Sequence, residues 1–311
     1  MRILVAGANG FIGRRLVQVL HRRGDSIVAL ARNPEKANDA LHGHARVVGW
    51  NPPEPGAWVS ELSQVDAVVN LAGEPLVGRW TDAHKKKIYD SRIDSTRALV
   101  DAIATAPTAA VGRAGARPRI LVQTSATGYY GETTAPTDET AAPGKDYLAK
   151  ICVDWEKEAS RAEALGTKVV VLRFGVVLGK GGALEKMAIP FKMFVGGPIG
   201  SGRQYVPWVA LDDAVGMIEM ALFNANVTGP INVVGPEPCT NRAFARELGR
   251  VLHRPSMVPT PEAAVHMVMG DGAVIVTKGQ HVVPKRAIEL EYPFLHPSLR
   301  GALRAGLGVV D

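Results

Sequence analysis

Residues 1–13 read MRILVAGANGFIG. Three glycines, Gly7, Gly10 and Gly13, stand three apart behind the apolar run Ile3–Ala6, and an amphipathic stretch follows from Phe11. Strand, glycine turn and helix in this order make an anion site. The first amides of a helix have no intrahelical partner, and the aligned peptide dipoles add positive potential there. Gly7 supplies the left-handed backbone of a tight turn, Gly10 lets the chain approach a pyrophosphate, and Gly13 lets the helix pack on the strand. Phe11 and Ile12, between the second and third glycines, belong to the same candidate site.

The next strand decides which dinucleotide fits. Residues 28–36 read VALARNPEK. A carboxylate where that strand stops would accept the ribose 2′-hydroxyl of NAD. Arg32 stands there instead. A guanidinium pairs with a 2′-phosphate through charge-assisted bonds, whereas a carboxylate would repel it. The reading is NADP as cofactor, with Arg32 on its 2′-phosphate. The plainer alternative is that Arg32 caps a surface loop.

Working outward, short apolar runs alternate with helical patterns. Strands are expected at Ile3–Ala6, Ile27–Ala31, Arg46–Val48, Ala67–Leu71, Ile120–Thr124 and Val169–Leu172, and helices at Phe11–Arg23, Ala83–Ala106 and Lys145–Leu165. The strand runs are continuously apolar, as a parallel sheet covered on both faces requires. The expected fold class is therefore α/β, a Rossmann-type doubly wound sheet. Proline and glycine place irregular loops at 51–56 and 106–118. After residue 178 the pattern becomes punctuated by glycine and proline, with helices expected at Asp213–Phe223, Asn241–Leu252 and Pro297–Leu307. That divides the chain into a nucleotide-binding part, 1–178, and a smaller substrate lobe, 179–311, interleaved with the last strands of the sheet.

Composition bounds the function. The 311 residues are 46% hydrophobic and 21% charged, which describes a globular chain. No run of about 18 apolar residues suggests a membrane span. A net charge of +6 suits anionic ligands and permits weak association with an acidic membrane surface. The basic residues are scattered, so no nucleic-acid partner is expected. Two cysteines, Cys152 and Cys239, build neither a disulfide framework nor a thiolate metal site, and eight histidines lack ligand spacing; no metal is expected. Because a strand begins at residue 2, any targeting segment is expected to have been removed.

With GANGFIG (7–13), NLAG (70–73), TSATGYYG (124–131) and LRFGVVLG (172–179), the chain resembles the short-chain dehydrogenase/reductase superfamily, in its extended, epimerase-like branch. RRLVQ (14–18), SRIDST (91–96), GKDYLAKICVDWE (144–156), GGPIGSGRQYVPW (196–208) and GQHVVPKRA (279–287) narrow the likeness to an atypical epimerase-like family. Its members are often described as homologues of a cell-division inhibitor, and they include the giant-chloroplast protein branch. The resemblance implies NADP at the carboxyl edge of the sheet, and a plastid stroma or a bacterial cytoplasm as compartment. It also implies that Leu71, Ala72 and Gly73 line the adenine ribose and pyrophosphate. Arg92 would face the cofactor with Lys87 nearby, and Val177 would touch the nicotinamide end. A protein partner is compatible with the same likeness.

The superfamily's chemistry, by the same resemblance, needs a Ser or Thr on the substrate oxygen, a Tyr that moves its proton, and a Lys four residues later that lowers the tyrosine's pKa. Ser125 ends its strand at the right place, and Tyr147 opens the following helix. Lys150, however, stands at i+3, which at about 100° per residue points about 100° away from the i+4 direction. Aligning on DWE instead puts Leu148 at the tyrosine position and Cys152 at the lysine position. Ser125, Tyr147 and Lys150 are the candidate catalytic residues, with Tyr129 and Tyr130 as alternatives for the proton. Arg203, Gln204, Trp208, Asp212, Asp213, Lys285 and Arg286 equip the second half for a polar ligand; the plainer alternatives are that Trp208 and Asp212 tie the lobe to the sheet and that Lys285 and Arg286 are exposed surface residues. The expected function is an NADP-dependent oxidoreductase or epimerase on a small polar carbonyl or sugar-like substrate. The alternative is an NADP-binding redox sensor or scaffold without turnover, for which the resemblance implies a place in plastid division.

Overall fold

The computed structural model describes residues 1–106 and 118–309. The first half runs β1 (Arg2–Ala6), α1 (Phe11–Arg22), β2 (Ser26–Ala31), α2 (Pro34–Leu41), β3 (Arg46–Gly49), β4 (Ala67–Asn70), α3 (Asp82–Thr105), β5 (Ile120–Ala126), β6 (Thr133–Thr137), α4 (Tyr147–Ser160) and β7 (Lys168–Phe174). The second half runs β8 (Val176–Leu178), α5 (Ala183–Lys192), β9 (Trp208–Ala210), α6 (Leu211–Phe223), β10 (Gly229–Val233), α7 (Asn241–Leu252), α8 (Glu262–Met269), α9 (Val274–Thr277), β11 (Gln280–Val282), α10 (Lys285–Glu289) and α11 (Leu299–Leu307).

Seven strands form one sheet in the order β10-β7-β5-β4-β1-β2-β3, and every pairing is parallel. Alternation along each strand feeds two cores. Ile3, Val5 and Ala29 pack with Leu16 and Leu20 of α1 and with Val215 and Ile218 of α6. Leu4, Ala6, Val28 and Leu30 pack on the other face with Leu99 and Ile103 of α3 and Ala159 of α4. Both faces are covered, so the strands carry no polar stripe. A third cluster joins Leu184 and Phe191 of α5, Phe244 and Leu248 of α7 and Leu303 of α11 around Trp208.

Chain order reverses between β1, which leads to β2, and β4, which leads to β5. That reversal opens a crevice at the carboxyl ends of β1 and β4, where ligands bind in open α/β sheets. The two loops leaving it touch: the Leu71 amide donates to the Ala6 carbonyl at 2.9 Å.

Element ends follow the caps. α4 starts at Tyr147 rather than Lys145 because the Asp146 side chain accepts from the Ala149 amide. It stops at Ser160, and a separate turn, Glu163–Leu165, closes on Gly166 in the left-handed region. α11 starts at Leu299, behind a Ser298 cap, rather than at Pro297. The helices α2 and α5 carry no expectation from the sequence, nor do the short strands β6, β8, β9 and β11, whose three to five residues are too few for periodicity. The loop expected at 106–118 lies, over 107–117, outside the described residues.

Candidate active site

The turn after β1 is built by contact. Gly7 has φ 76°, and a Cβ there would sit 2.7 Å from the Leu71 carbonyl oxygen. A Cβ on Gly13 would fall 2.3 Å from the Gly7 oxygen and 2.6 Å from that of Ala8, so α1 lies against the turn. Gly10 differs. It is exposed, and its Cβ would meet only the Gly7 oxygen, at 3.1 Å. Gly10 caps α1 without a side-chain hydrogen bond, and the first turn contains no acidic residue. The leading amides, Phe11 and Ile12 among them, therefore point out of the helix end with no carboxylate to neutralise them. Side chains of this pair look inward: the Phe11 ring fills the space over Gly179 and Gly182, and Ile12 packs on the first core cluster.

Arg32 follows β2, exposed and without an ion pair or hydrogen bond to any described residue. Beside it Asn33 caps α2 through the Lys36 amide, so the loop has its cap without the arginine. Across the crevice Asn70 is fully buried. Its amide donates to Thr96 and Gln123 at 2.9 and 3.0 Å, and its Oδ1 accepts from the Ala72 amide at 3.2 Å. This fixes the Leu71–Gly73 loop, and composition patterns give no hint of it. Arg92 supports that loop from below. Its Nη1 donates to the Glu74 and Ile88 carbonyls, and a Cβ on Gly73 would meet its guanidinium carbon at 3.2 Å. Burial lowers its pKa from the ordinary arginine value. Lys87 lies exposed on α3, and Val177 is half-buried against the first core, opposite Val209.

The structure does not gather Ser125, Tyr147 and Lys150. Ser125 is buried and donates to Glu156 Oε1 at 2.6 Å. Tyr147 is exposed, and its hydroxyl donates to the Lys85 carbonyl at 2.8 Å. Lys150 pairs with Asp154 one turn along α4 at 3.0 Å, which raises its pKa. The i+3 spacing explains the separation, since it turns the lysine to solvent. The face of α4 that meets β5 and the turn after it is Leu148, Cys152 and Glu156: a Cβ on Gly128 would lie 3.4 Å from Leu148 Cβ and 4.0 Å from Cys152 Sγ. Burial pushes the pKa of the Cys152 thiol up to about 11. A neutral thiol cannot supply a lysine's charge.

Glu156 opens a polar network that motif reading did not find. Arg173 of β7 holds it bidentately, Nε to Oε1 at 2.9 Å and Nη2 to Oε2 at 2.8 Å. Burial opposes the guanidinium's charge, yet the paired carboxylate keeps the Arg173 pKa above its ordinary value. Arg173 Nη1 also donates to the Tyr130 hydroxyl, which donates to Asn232 Oδ1 at 2.7 Å. Burial pushes the Tyr130 pKa up to about 12. The Asn232 amide and the Arg286 amide both donate to Glu139, so the network runs from α4 across β7 and β10 to α10. Tyr129 stands beside this chain: its ring lies 3.4 Å below the Arg173 guanidinium, and its hydroxyl has no hydrogen bond to a described residue.

In the second half, Asp212 pairs with Arg15 of α1, and Asp213 accepts the Leu295 and His296 amides, so both tie segments together. Trp208 is buried, with Nε1 on the Glu237 carbonyl. Gln204 bridges the Ile199 and Val276 carbonyls. Lys285 pairs with Asp138, and Arg286 donates to the Pro230 carbonyl. Arg203 stays exposed and unpaired among the described residues.

The profile of the NAD dependent epimerase/dehydratase family matches residues 3–235. The chain belongs to this family. A second profile, a domain of unknown function, matches residues 260–305. The chain is 42% identical to the chloroplastic homologue of epimerase family protein SDR39U1 from Arabidopsis thaliana, over 98% of this chain and 86% of that one. It is 37% identical to epimerase family protein YfhF of Bacillus subtilis over 97% of both chains. Human SDR39U1 (isoform 2), solved with NADPH, superposes with a TM-score of 0.85 at 33% identity, covering 100% of each chain. UDP-glucuronic acid 4-epimerase from Bacillus cereus, solved with NAD and UDP-glucuronic acid, gives 0.77 at 18% identity over 99% of this chain and 98% of that one, a likeness of fold alone. Among the described residues no helix is long and apolar enough to cross a membrane.

Proposed function

We propose that the chain is an NADP-dependent oxidoreductase or epimerase acting on a small polar carbonyl or sugar-like substrate. One observation carries the cofactor: an uncapped α1 whose amides face the crevice, with the unpaired Arg32 at the end of the neighbouring strand. Both are what a pyrophosphate and a 2′-phosphate require. The family membership and the NADPH in the human relative support the same choice. Gly7, Gly10, Phe11, Ile12 and Gly13 would cradle the pyrophosphate, and the Leu71–Gly73 loop, held by Asn70 and Arg92, would form the opposite wall. Val177 would border the nicotinamide end; the exposed Lys87 would add only distant charge. Residues 1–178 would then hold the cofactor and 179–311 complete the substrate side.

Bound NADPH would supply hydride to a carbonyl carbon; the protein must deliver a proton to its oxygen. Ser125 gives its own hydrogen to the Glu156 carboxylate, so its lone pair accepts from a hydroxyl of the substrate or alcohol product and orients it, and does not bond the carbonyl oxygen. The proton falls to Tyr129, the hydroxyl left without a partner, lying beside the Arg173 charge. One observation favours a second reading, a cofactor-bound sensor without turnover: Ser125, Tyr147 and Lys150 all spend their polar groups inside the protein.

A screen of NADPH oxidation over quinones, aldehydes and keto-sugars, with product stereochemistry followed for redox-neutral epimerisation, separates the two. Turnover that falls about 10²–10⁴-fold in Tyr129→Phe, and less in Ser125→Ala, is the expected result. Tight NADPH binding with no turnover on any substrate assigns the sensor.

A further inference from the structure

Exposed apolar side chains gather on the segment after α5 and on the loop after α7. Met193 and Phe194, after α5, are 66% and 58% exposed, and Met257 is 84% exposed. They form one surface. The Val258 amide donates to the Gly196 carbonyl at 3.2 Å, and the Arg254 guanidinium lies 4.6 Å above the Phe194 ring. Beside Met257 a shallow groove of about 500 Å³ is lined by Arg246, Arg250, His253, Arg254, Ser256 and Met257, and Arg254 connects it to the Phe194 ring.

Neither burial nor backbone preference explains Phe194. Its amide closes the end of α5 on the Phe191 carbonyl at φ 64°, a left-handed position where glycine is the usual choice. A bulky aromatic held there costs backbone energy and buries little.

The charge is one-sided. Glu247 faces three guanidiniums at once, those of Arg246, Arg250 and Arg300. One negative charge against three leaves an excess of positive charge, and Arg254 on the groove's lining adds to it.

We infer that this groove is a docking site for an acidic, partly apolar segment of a partner protein. Its carboxylates would meet Arg246, Arg250 and Arg254, and an apolar side chain would seat between Phe194 and Met257. Charge selects that occupant: a second copy docked by a twofold would set one basic groove against another.

The probe is a fluorescent eighteen-residue peptide with Glu and Leu at helical spacing; its control has every Leu changed to Ser. Anisotropy on the full chain is expected to show saturable micromolar binding of the probe and much weaker binding of the control. Arg246→Glu/Arg254→Glu should weaken it by about tenfold or more. Phe194→Gly should weaken it as well while the melting temperature holds or rises, because glycine suits φ 64°. NADPH affinity should be unchanged in both. Equal binding by all variants, or no binding by wild type, overturns the proposal. So does capture by phosphatidylglycerol vesicles without peptide binding, or self-association in sedimentation velocity that Phe194→Gly abolishes.

Discussion

The crevice between β1 and β4 and the junction of α4 with β5 lie on one sheet, and they treat their polar groups in opposite ways. At the crevice the protein leaves groups unsatisfied: the leading amides of α1, an open Gly10 and an unpaired Arg32. At the junction it satisfies them. Ser125 is bonded to Glu156, Glu156 to Arg173 and Arg173 to Tyr130. Unmet donors at a surface are where a ligand gains most, and buried donors must be met within the fold. The first region therefore reads as a binding site kept ready. The second reads as a rigid platform, with Lys150 turned away from it.

The sharpest way to break this contrast is within the glycine turn. Gly10→Val should reduce NADPH affinity by at least about a hundredfold, through lost amide–phosphate contacts, and leave the melting curve in place. Gly13→Val should instead prevent folding, because its Cβ would sit 2.3 Å from the Gly7 oxygen. Calorimetry and thermal melts on the two variants check both. Should Gly10→Val unfold the chain, or bind NADPH as wild type does, the turn is only structural.

At the junction the platform should yield to loss of one partner. Glu156→Gln leaves the Arg173 guanidinium, 5% exposed, without its counter-charge. Denaturant unfolding should show a loss of about 3–5 kcal/mol, the cost of breaking a buried pair. A change near zero would mean that solvent reaches the pair.

A smaller effect concerns pH. Burial holds the Glu139 carboxyl above the ordinary carboxylate range, against amides that lower it. Its folded pKa exceeds its unfolded value of about 4.3. Its contribution to stability is thus full below that unfolded value and is lost as pH rises through the folded one. Melts across that interval should show wild type losing stability relative to Glu139→Gln as pH rises. Parallel curves would remove Glu139 from the titrating groups.

The smallest effects belong to Tyr147→Phe and Lys150→Ala, each expected to stay within about twofold of wild type in turnover, given exposed partners worth little. A drop of orders of magnitude in Tyr147→Phe would return the proton to that hydroxyl and dissolve the contrast.

How legible these two regions are in sequence differs for a physical reason. The glycine turn is local: Gly7, Gly10 and Gly13 act within one strand–turn–helix, so spacing alone predicts their backbone roles. The six leading strands are continuous apolar runs that only a doubly covered sheet explains, and each lies in the central sheet within a residue or two. The junction is assembled from positions far apart in the chain. Ser125, Glu156, Arg173, Tyr130, Asn232 and Glu139 meet only after β5, α4, β7 and β10 are in place. Asn70 reads as one more strand residue until its loop folds over it. The i+3 lysine is the exception: helix geometry alone turns it from the site, and its ion pair with Asp154 agrees.

The central claim is that α1 and Arg32 hold an NADP phosphate pair. Titration calorimetry of NADPH and NADH against wild type and Arg32→Ala tests it most directly. A charge-assisted pair contributes about 1.5–3 kcal/mol, so wild type should prefer NADPH by about ten- to a hundredfold, and Arg32→Ala should lose most of that preference. Equal affinity of wild type for the two cofactors, or an unchanged preference in Arg32→Ala, would contradict it.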